Sequence, residues 1–147
     1  MYLELFVRYL HFISIFGIVA SLALEVVLVK PVLNRQELAR LSKIDALYGI
    51  CALTVLGAGL SLWLWLGKSS EFYQQNPLFW LKLSLYSLIG ILSIYPTVFF
   101  IKNRKGNPQD ELQISSWLIW SIRIELILLL VLPFLAILMA RGIGYQA

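Results

Sequence analysis

The chain reads as an all-α, polytopic membrane protein, a four-helix transmembrane bundle with both termini on the same side. Three observations carry this reading. Of 147 residues, 60% are hydrophobic and 14% charged, with a mean hydropathy of +0.81; ordinary soluble domains are about 45–50% apolar and about 25% charged. A core of this size cannot hide that much apolar surface, so lipid must solvate part of it. Apolar runs near Leu3–Val29, Ile44–Leu66, Leu78–Ile101 and Ile114–Met139 each suffice to cross a bilayer, which takes about 20 residues. Bare backbone polar groups are too costly in lipid, so such runs must be helical. Finally, the basic residues are segregated. Lys30, Arg35, Arg40 and Lys43 flank the first break and Lys102, Arg104 and Lys105 the third, while Arg8, Lys68 and Arg141 fall on the opposite side. The positive-inside rule then places the first and third loops in the cytoplasm and both termini outside, as expected for a bacterial inner membrane or a thylakoid.

These properties exclude a soluble enzyme, a disulfide scaffold and a disordered chain. The single cysteine, Cys51, allows no internal disulfide and no Cys-rich metal site; it reads as a small packing residue. The N-terminal apolar stretch runs too long for a cleavable signal and lacks an Ala-x-Ala site.

Taken in order, the helices are expected near residues 3–29, 35–67, 77–101 and 108–140 of one domain covering 1–147. Asn34 with Glu37 three residues on resembles a capping box, which starts the second helix near Arg35, ahead of the membrane. Leu38 and Leu41 then face the bilayer surface, with Arg35, Arg40 and Lys43 toward water or lipid phosphate. Asn76-Pro77 and Asn107-Pro108 both read as an N-cap followed by an N1 proline, which sets the starts of the third and fourth helices. Trp63, Trp65, Tyr73 and Trp80 form an outer aromatic belt. Gly57 and Ser61 make a small-xxx-small pair that allows close helix approach. Pro96 and Pro133 fall inside helices and are expected to kink them.

Ionisable groups at membrane depth are costly and mark function. With His11 as zero on the first helix, Glu4 falls at roughly +20°, Arg8 at +60°, Glu25 at −40°, Ser14 at −60° and Ser21 at −80°. That polar arc is expected to face the bundle interior. It reads either as a hydrogen-bonding seam or as the seat of chemistry. His11 lies about 7 Å outside the midplane at about 1.5 Å per residue, and a neutral imidazole suits a haem iron or a proton relay. Lys82 shares that leaflet, with Tyr86 one turn further along the same face; it either snorkels to the headgroups or points inward. Arg123 and Glu125 are about 200° apart and cannot pair with each other. Arg123 is therefore expected to pair with Glu25 as a buried ion pair, while Glu125, with no obvious partner, is expected either to be protonated or to face a second subunit.

No Gly-rich phosphate loop, zinc-protease helix, cysteine cluster or Ser/His/Asp set is present. The basic loops lack an aromatic platform, so they suit anionic lipid rather than nucleic acid.

Phe79-Trp80-Leu81-Lys82 and Leu92-Ser93-Ile94-Tyr95-Pro96-Thr97, followed by the basic loop from Lys102 to Lys105, resemble an uncharacterised family of bacterial four-helix membrane proteins often found in cyanobacteria. More distantly, Arg8-Tyr9-Leu10-His11 with Trp80-Leu81-Lys82 is similar to the HemJ-type protoporphyrinogen oxidases and to the membrane domain of copper-resistance protein D. The HemJ likeness implies that His11 and Lys82 bind haem and support activity. The chain departs from that type in having one histidine, which excludes bis-histidine ligation within one chain, and in reading Glu25 to Pro31 where a Pro-Arg end is found.

The leading expectation is a haem b- or porphyrin-binding, redox-active membrane protein. His11 would be the axial ligand and the only metal contact, with Arg8 and Lys82 beside the propionates. One alternative is a non-enzymatic assembly or accessory subunit, meeting a second copy or a membrane complex through Gly57 or Glu125. Another is a small proton-coupled transporter using Glu25, Arg123 and Glu125, against which stands the lack of an inverted repeat. Reaction and substrate are not legible.

Overall fold

The computed structural model describes residues 1–145; residues 146 and 147 of the expected domain lie outside it. Helix α1 (Tyr2–Leu28) leads through strand β1 (Val32–Asn34) into α2 (Arg35–Ser61), which continues as a π-helical turn (Leu62–Leu66). A short α3 (Ser70–Gln74) precedes α4 (Pro77–Asn103), strand β2 (Glu111–Gln113) and α5 (Ser116–Ala140). Among the described residues, the segments Tyr2–Leu28, Arg35–Leu66, Pro77–Asn103 and Ser116–Ala140 are the 4 that are long and apolar enough to cross a membrane. Helix α1 packs on α2 and α5, and α4 packs on the same two, so the four form a closed bundle.

Local chemistry explains most boundaries. At the start of α2 the Asn34 side chain accepts from the Glu37 amide at 2.8 Å, and the Glu37 carboxylate accepts from the Asn34 amide at 2.9 Å. This reciprocal capping box satisfies two orphan donors. Asn76 caps α4 by accepting from the Leu78 amide at 2.9 Å, with Pro77 in the first turn. Helices α4 and α5 continue past Pro96 and Pro133, each of which lacks the amide for one bond of the helical ladder. Helix α2 ends where the Gly67 amide donates to the Leu62 carbonyl at 2.7 Å. A side chain on Gly67 would strike that carbonyl and the Tyr73 hydroxyl, so only glycine fits.

The fourth helix departs from expectation. It starts at Ser116, capped by the Ser115 hydroxyl accepting from the Leu118 amide at 3.3 Å, rather than near residue 108. Asn107 instead closes a turn, its side chain accepting from the Gln109 amide at 3.1 Å. The carbonyls of that turn serve α2: Arg35 donates its amide to Asp110 at 3.0 Å and Gln36 to Pro108 at 3.4 Å. The free amides of one helix start thus take up the turn that would have opened another. Beyond the turn, Glu111–Gln113 pairs antiparallel with Val32–Asn34, Leu33 opposite Leu112. This ribbon buries Leu33 to 1% exposure. It ties the first and third loops together on one face of the bundle, called here the ribbon side.

Arg35 is a further correction, because it does not face water or lipid. Its guanidinium donates to the carbonyls of Asn103 at 2.8 Å and Lys105 at 2.9 Å, and it lies 3.6 Å from Asp110. It thereby satisfies the open carbonyl end of α4 with a cation. Gly106 packs flat against the Arg35 side chain with φ +134°, a conformation that, with the contact, admits only glycine.

Candidate functional site

Helix α1 turns Ser14, Ile18, Ser21, Leu22 and Glu25 inward. Arg8 and Glu4, at the edge of that arc, pair with each other at 2.7 Å in partly exposed positions. On α2 the buried positions Leu38, Leu41, Ser42, Asp45 and Tyr48 recur at helical spacing along one face. Helix α5 buries Leu118, Ile122, Glu125 and Leu129 on its inner stripe. These three faces bring Glu25, Asp45, Tyr48 and Glu125 together inside the ribbon half of the bundle.

Glu25 and Glu125 are each 1% exposed. Asp45 and Glu125 both lie within electrostatic reach of Glu25. Tyr48 donates its hydroxyl to Glu125 Oε2 at 3.4 Å, and Thr97 donates to Asp45 Oδ1 at 3.0 Å. The Oε1 atoms of Glu25 and Glu125, and the Ser21 hydroxyl one turn before Glu25, are buried with no hydrogen-bond partner among the described residues. Among the described residues none of the three carboxyls is in an ion pair. Nor does any group of His, Cys, Asp and Glu there stand close enough to hold a metal ion. Unpaired buried carboxyl oxygens are costly in a membrane interior, and their natural compensation is a proton.

The expected pair of Glu25 with Arg123 is not formed. Arg123 lies exposed on the opposite face of α5, 5.2 Å over the Trp120 ring. Because α5 starts at Ser116, Arg123 stands within two turns of the helix start and not near its middle. A long stem can carry its charge from there to the headgroups and rest against an aromatic face.

A groove of about 530 Å³ runs between α2 and α4 and passes the acid cluster. Its ribbon-side end is lined by Ser42, Asp45, Thr97 and Arg104, and Arg104 donates to the Ser42 hydroxyl at 3.2 Å. Tyr48 borders its middle, and Leu53, Leu56, Ile89 and Ile94 form apolar walls.

His11 and Lys82 come together in the other half of the bundle. His11 Nδ1 lies 3.1 Å from the Val55 carbonyl oxygen, and the Lys82 charge acts on the imidazole. A carbonyl only accepts, so this contact requires the proton on Nδ1; in the neutral imidazole the lone pair then lies on Nε2. Both side chains are half-buried. The other residues expected around a haem are engaged elsewhere: Arg8 with Glu4, and Tyr86 through its hydroxyl with the Ala52 carbonyl. Tyr86 borders the α2–α4 groove, whereas His11 does not.

Gly57 does not mediate packing within the chain. A side chain there would meet nothing within 4 Å, and the Ser61 hydroxyl turns back to the Gly57 carbonyl at 2.8 Å. The close approaches of α1 and α2 are at Gly17 against Cys51 and at Gly59 against the His11 ring.

Asp45 and Tyr48 were not singled out from the sequence, while Arg104 entered only with the basic third loop and Thr97 only within the stretch from Leu92 to Thr97. Asp45 did carry a signal, as an acid inside an apolar run on the same face as Leu38, Leu41 and Ser42. Tyr48 and Thr97 look like packing residues until the helices are assembled.

The chain belongs to the DUF2214 family of predicted membrane proteins, whose model matches residues 3–144. No curated protein and no solved structure matches it.

Proposed function

We propose that this family member is a small proton-coupled membrane protein, in which the buried carboxyls of Glu25 and Glu125 exchange protons with the groove between α2 and α4. The observation that carries this is the pair of buried Oε1 atoms, each without a hydrogen-bond partner and without a cation. A buried carboxylate with no cation is relieved when it takes up a proton, and an inward-facing one at membrane depth is a common element of proton relays. Tyr48 supplies the connection, since it donates to Glu125 and also borders the groove. Asp45 stands at the groove's ribbon-side end, where a proton entering from that side would first meet a carboxylate. The basic residues of the ribbon side make that side cytoplasmic under the positive-inside rule, with both termini outside.

The test is proton flux into vesicles holding the purified chain and a pH-sensitive dye, after an acid step. Glu125→Gln and Glu25→Gln keep shape and hydrogen-bonding capacity but bind no proton. Each is expected to slow the flux about tenfold, within the range that one positioned proton-transfer group commonly contributes. Wild-type flux no faster than in protein-free vesicles would overturn the reading, as would unchanged flux in both variants.

A second reading rests on His11. An imidazole whose Nδ1–H is held by a backbone carbonyl presents Nε2 in the orientation typical of metal-ligating histidines. Haem b or a porphyrin bound there, beside Lys82, is supported by that contact alone. Absorption spectra of the protein purified in mild detergent, before and after dithionite, test it. A Soret band that is lost in His11→Ala would support haem; no band after haem supplementation would remove the reading.

A further inference from the structure

The α2–α4 groove has two chemically distinct ends. Its middle polar groups are satisfied within the protein: the Tyr86 hydroxyl by the Ala52 carbonyl, and the Ser93 hydroxyl by Gly90 at 2.7 Å. What remains along the walls is apolar: Leu53, Leu56, Ile89, Ile94 and Val98. At the ribbon-side rim the balance reverses. Arg104 is exposed, and the one hydrogen bond it makes among the described residues is to the neutral Ser42 hydroxyl, which leaves guanidinium donors and a full charge uncompensated there. Lys102 and Lys105 flank it in sequence. One turn below Ser42, Asp45 has one carboxyl oxygen on Thr97 and borders the groove.

We infer that this groove is a binding site for one anionic phospholipid of the ribbon-side leaflet, with its phosphate on Arg104 and one acyl chain along the apolar walls toward Tyr86. Guanidinium matches phosphate in geometry and charge, and basic pockets between membrane helices on the cytoplasmic side are a recurrent home for such headgroups. Gly49 and Gly90 both line the groove, and a side chain on either would meet nothing within 4 Å. The space is therefore left open by two glycines rather than filled by larger residues. The lipid would occupy the same groove that the proton-coupled reading uses, and the two are tested apart, because one readout is lipid mass and the other proton movement.

The test uses the full chain reconstituted into nanodiscs of equimolar phosphatidylglycerol and phosphatidylcholine, then released into native mass spectrometry. The wild type is expected to retain phosphatidylglycerol in preference to phosphatidylcholine. Arg104→Gln should reduce that preference about tenfold, and Lys102→Gln with Lys105→Gln should leave most of it. Gly90→Leu, and independently Gly49→Leu, should abolish retention by filling the tail channel while circular dichroism shows an unchanged helix content. Equal retention of both lipids by the wild type, or none, would overturn the inference. So would folded glycine variants that hold lipid as well as the wild type, or a preference that follows the two lysines instead of Arg104. If neither glycine variant folds, the arginine and lysine variants at the exposed rim still decide.

Discussion

In the ribbon half of the bundle, Leu22, Leu38, Phe100, Leu118 and Ile122 are sealed at 0% exposure, whereas toward the termini Leu132, Leu135 and Met139 keep 6–7%. The two halves are built from the same four apolar helices, so composition does not separate them. Cross-links do. The ribbon half has the Val32–Asn34 and Glu111–Gln113 ladder, the Asn34–Glu37 capping box and the Arg35 clamp on the end of α4. The terminal half is held by softer contacts. Asn76 donates to the Ile143 carbonyl at 3.1 Å, and Trp63, Tyr73 and Phe79 pack as a cluster of rings. The difference teaches where costly polar groups can be kept. The unpartnered carboxyl oxygens of Glu25 and Glu125 sit in the cross-linked half, on side chains that are each 1% exposed. In the looser half, His11 is half-buried and its ring is anchored by a carbonyl.

The largest expected effect comes from the core of the ribbon half. Phe100→Ala should cost about 3–5 kcal/mol through the cavity it leaves. Phe12→Ala, at a position 62% exposed to lipid in the other half, should stay within about 0.5 kcal/mol. Unfolding in mild detergent, followed by thermal or steric-trapping methods, reads both, and equal losses would abolish the contrast. Next in size is the clamp. Arg35→Ala removes two charge-assisted hydrogen bonds to carbonyls and should cost about 2–3 kcal/mol, while Arg40→Ala, exposed on the same helix, should change stability by less than about 0.5 kcal/mol. Similar costs for the two would show that Arg35 acts only as one of several surface charges. The smallest effect is the sharpest test of the site. Arg123→Gln should be near neutral, within about 0.5 kcal/mol, because the side chain lies outside the bundle. A loss of about 3–5 kcal/mol, typical of breaking a buried ion pair, would restore the partnership with Glu25.

Much of the fold is legible from residue order. Four apolar runs, two asparagine caps and the segregation of lysine and arginine lead to the bundle and to the face shared by its first and third loops. The start of α5 was misread because Asn107-Pro108 carries the same cap signature as Asn76-Pro77. Nothing in the local sequence tells that the carbonyls of the 107–110 turn will be taken by the first amides of α2. The ribbon was hidden for a related reason. Each strand is three residues long, too short for a periodic signal, and exists because its partner is delivered by the bundle.

For the candidate site the division is similar. The inward placement of Glu25 follows from the polar arc of α1, and the impossibility of an Arg123–Glu125 contact follows from their angular separation. Which of those two residues faces inward does not follow, since both interiors and headgroups accept an arginine at the cost of a different partner.

From the sequence alone come the membrane class, the count of spans, the caps at Asn34 and Asn76 and the shared side of the basic loops, because these depend on hydropathy, on length and on interactions within a few residues. Tertiary structure alone decided that Asp45 and Tyr48 join Glu25 and Glu125, that Arg35 closes α4, that Gly17 and Gly59 rather than Gly57 set the approach of α1 to α2, and that a groove opens beside Arg104. Each of these joins residues from different helices, and which faces meet is set by the rotation and offset of whole helices in the packed bundle, a quantity that no stretch of the chain encodes by itself.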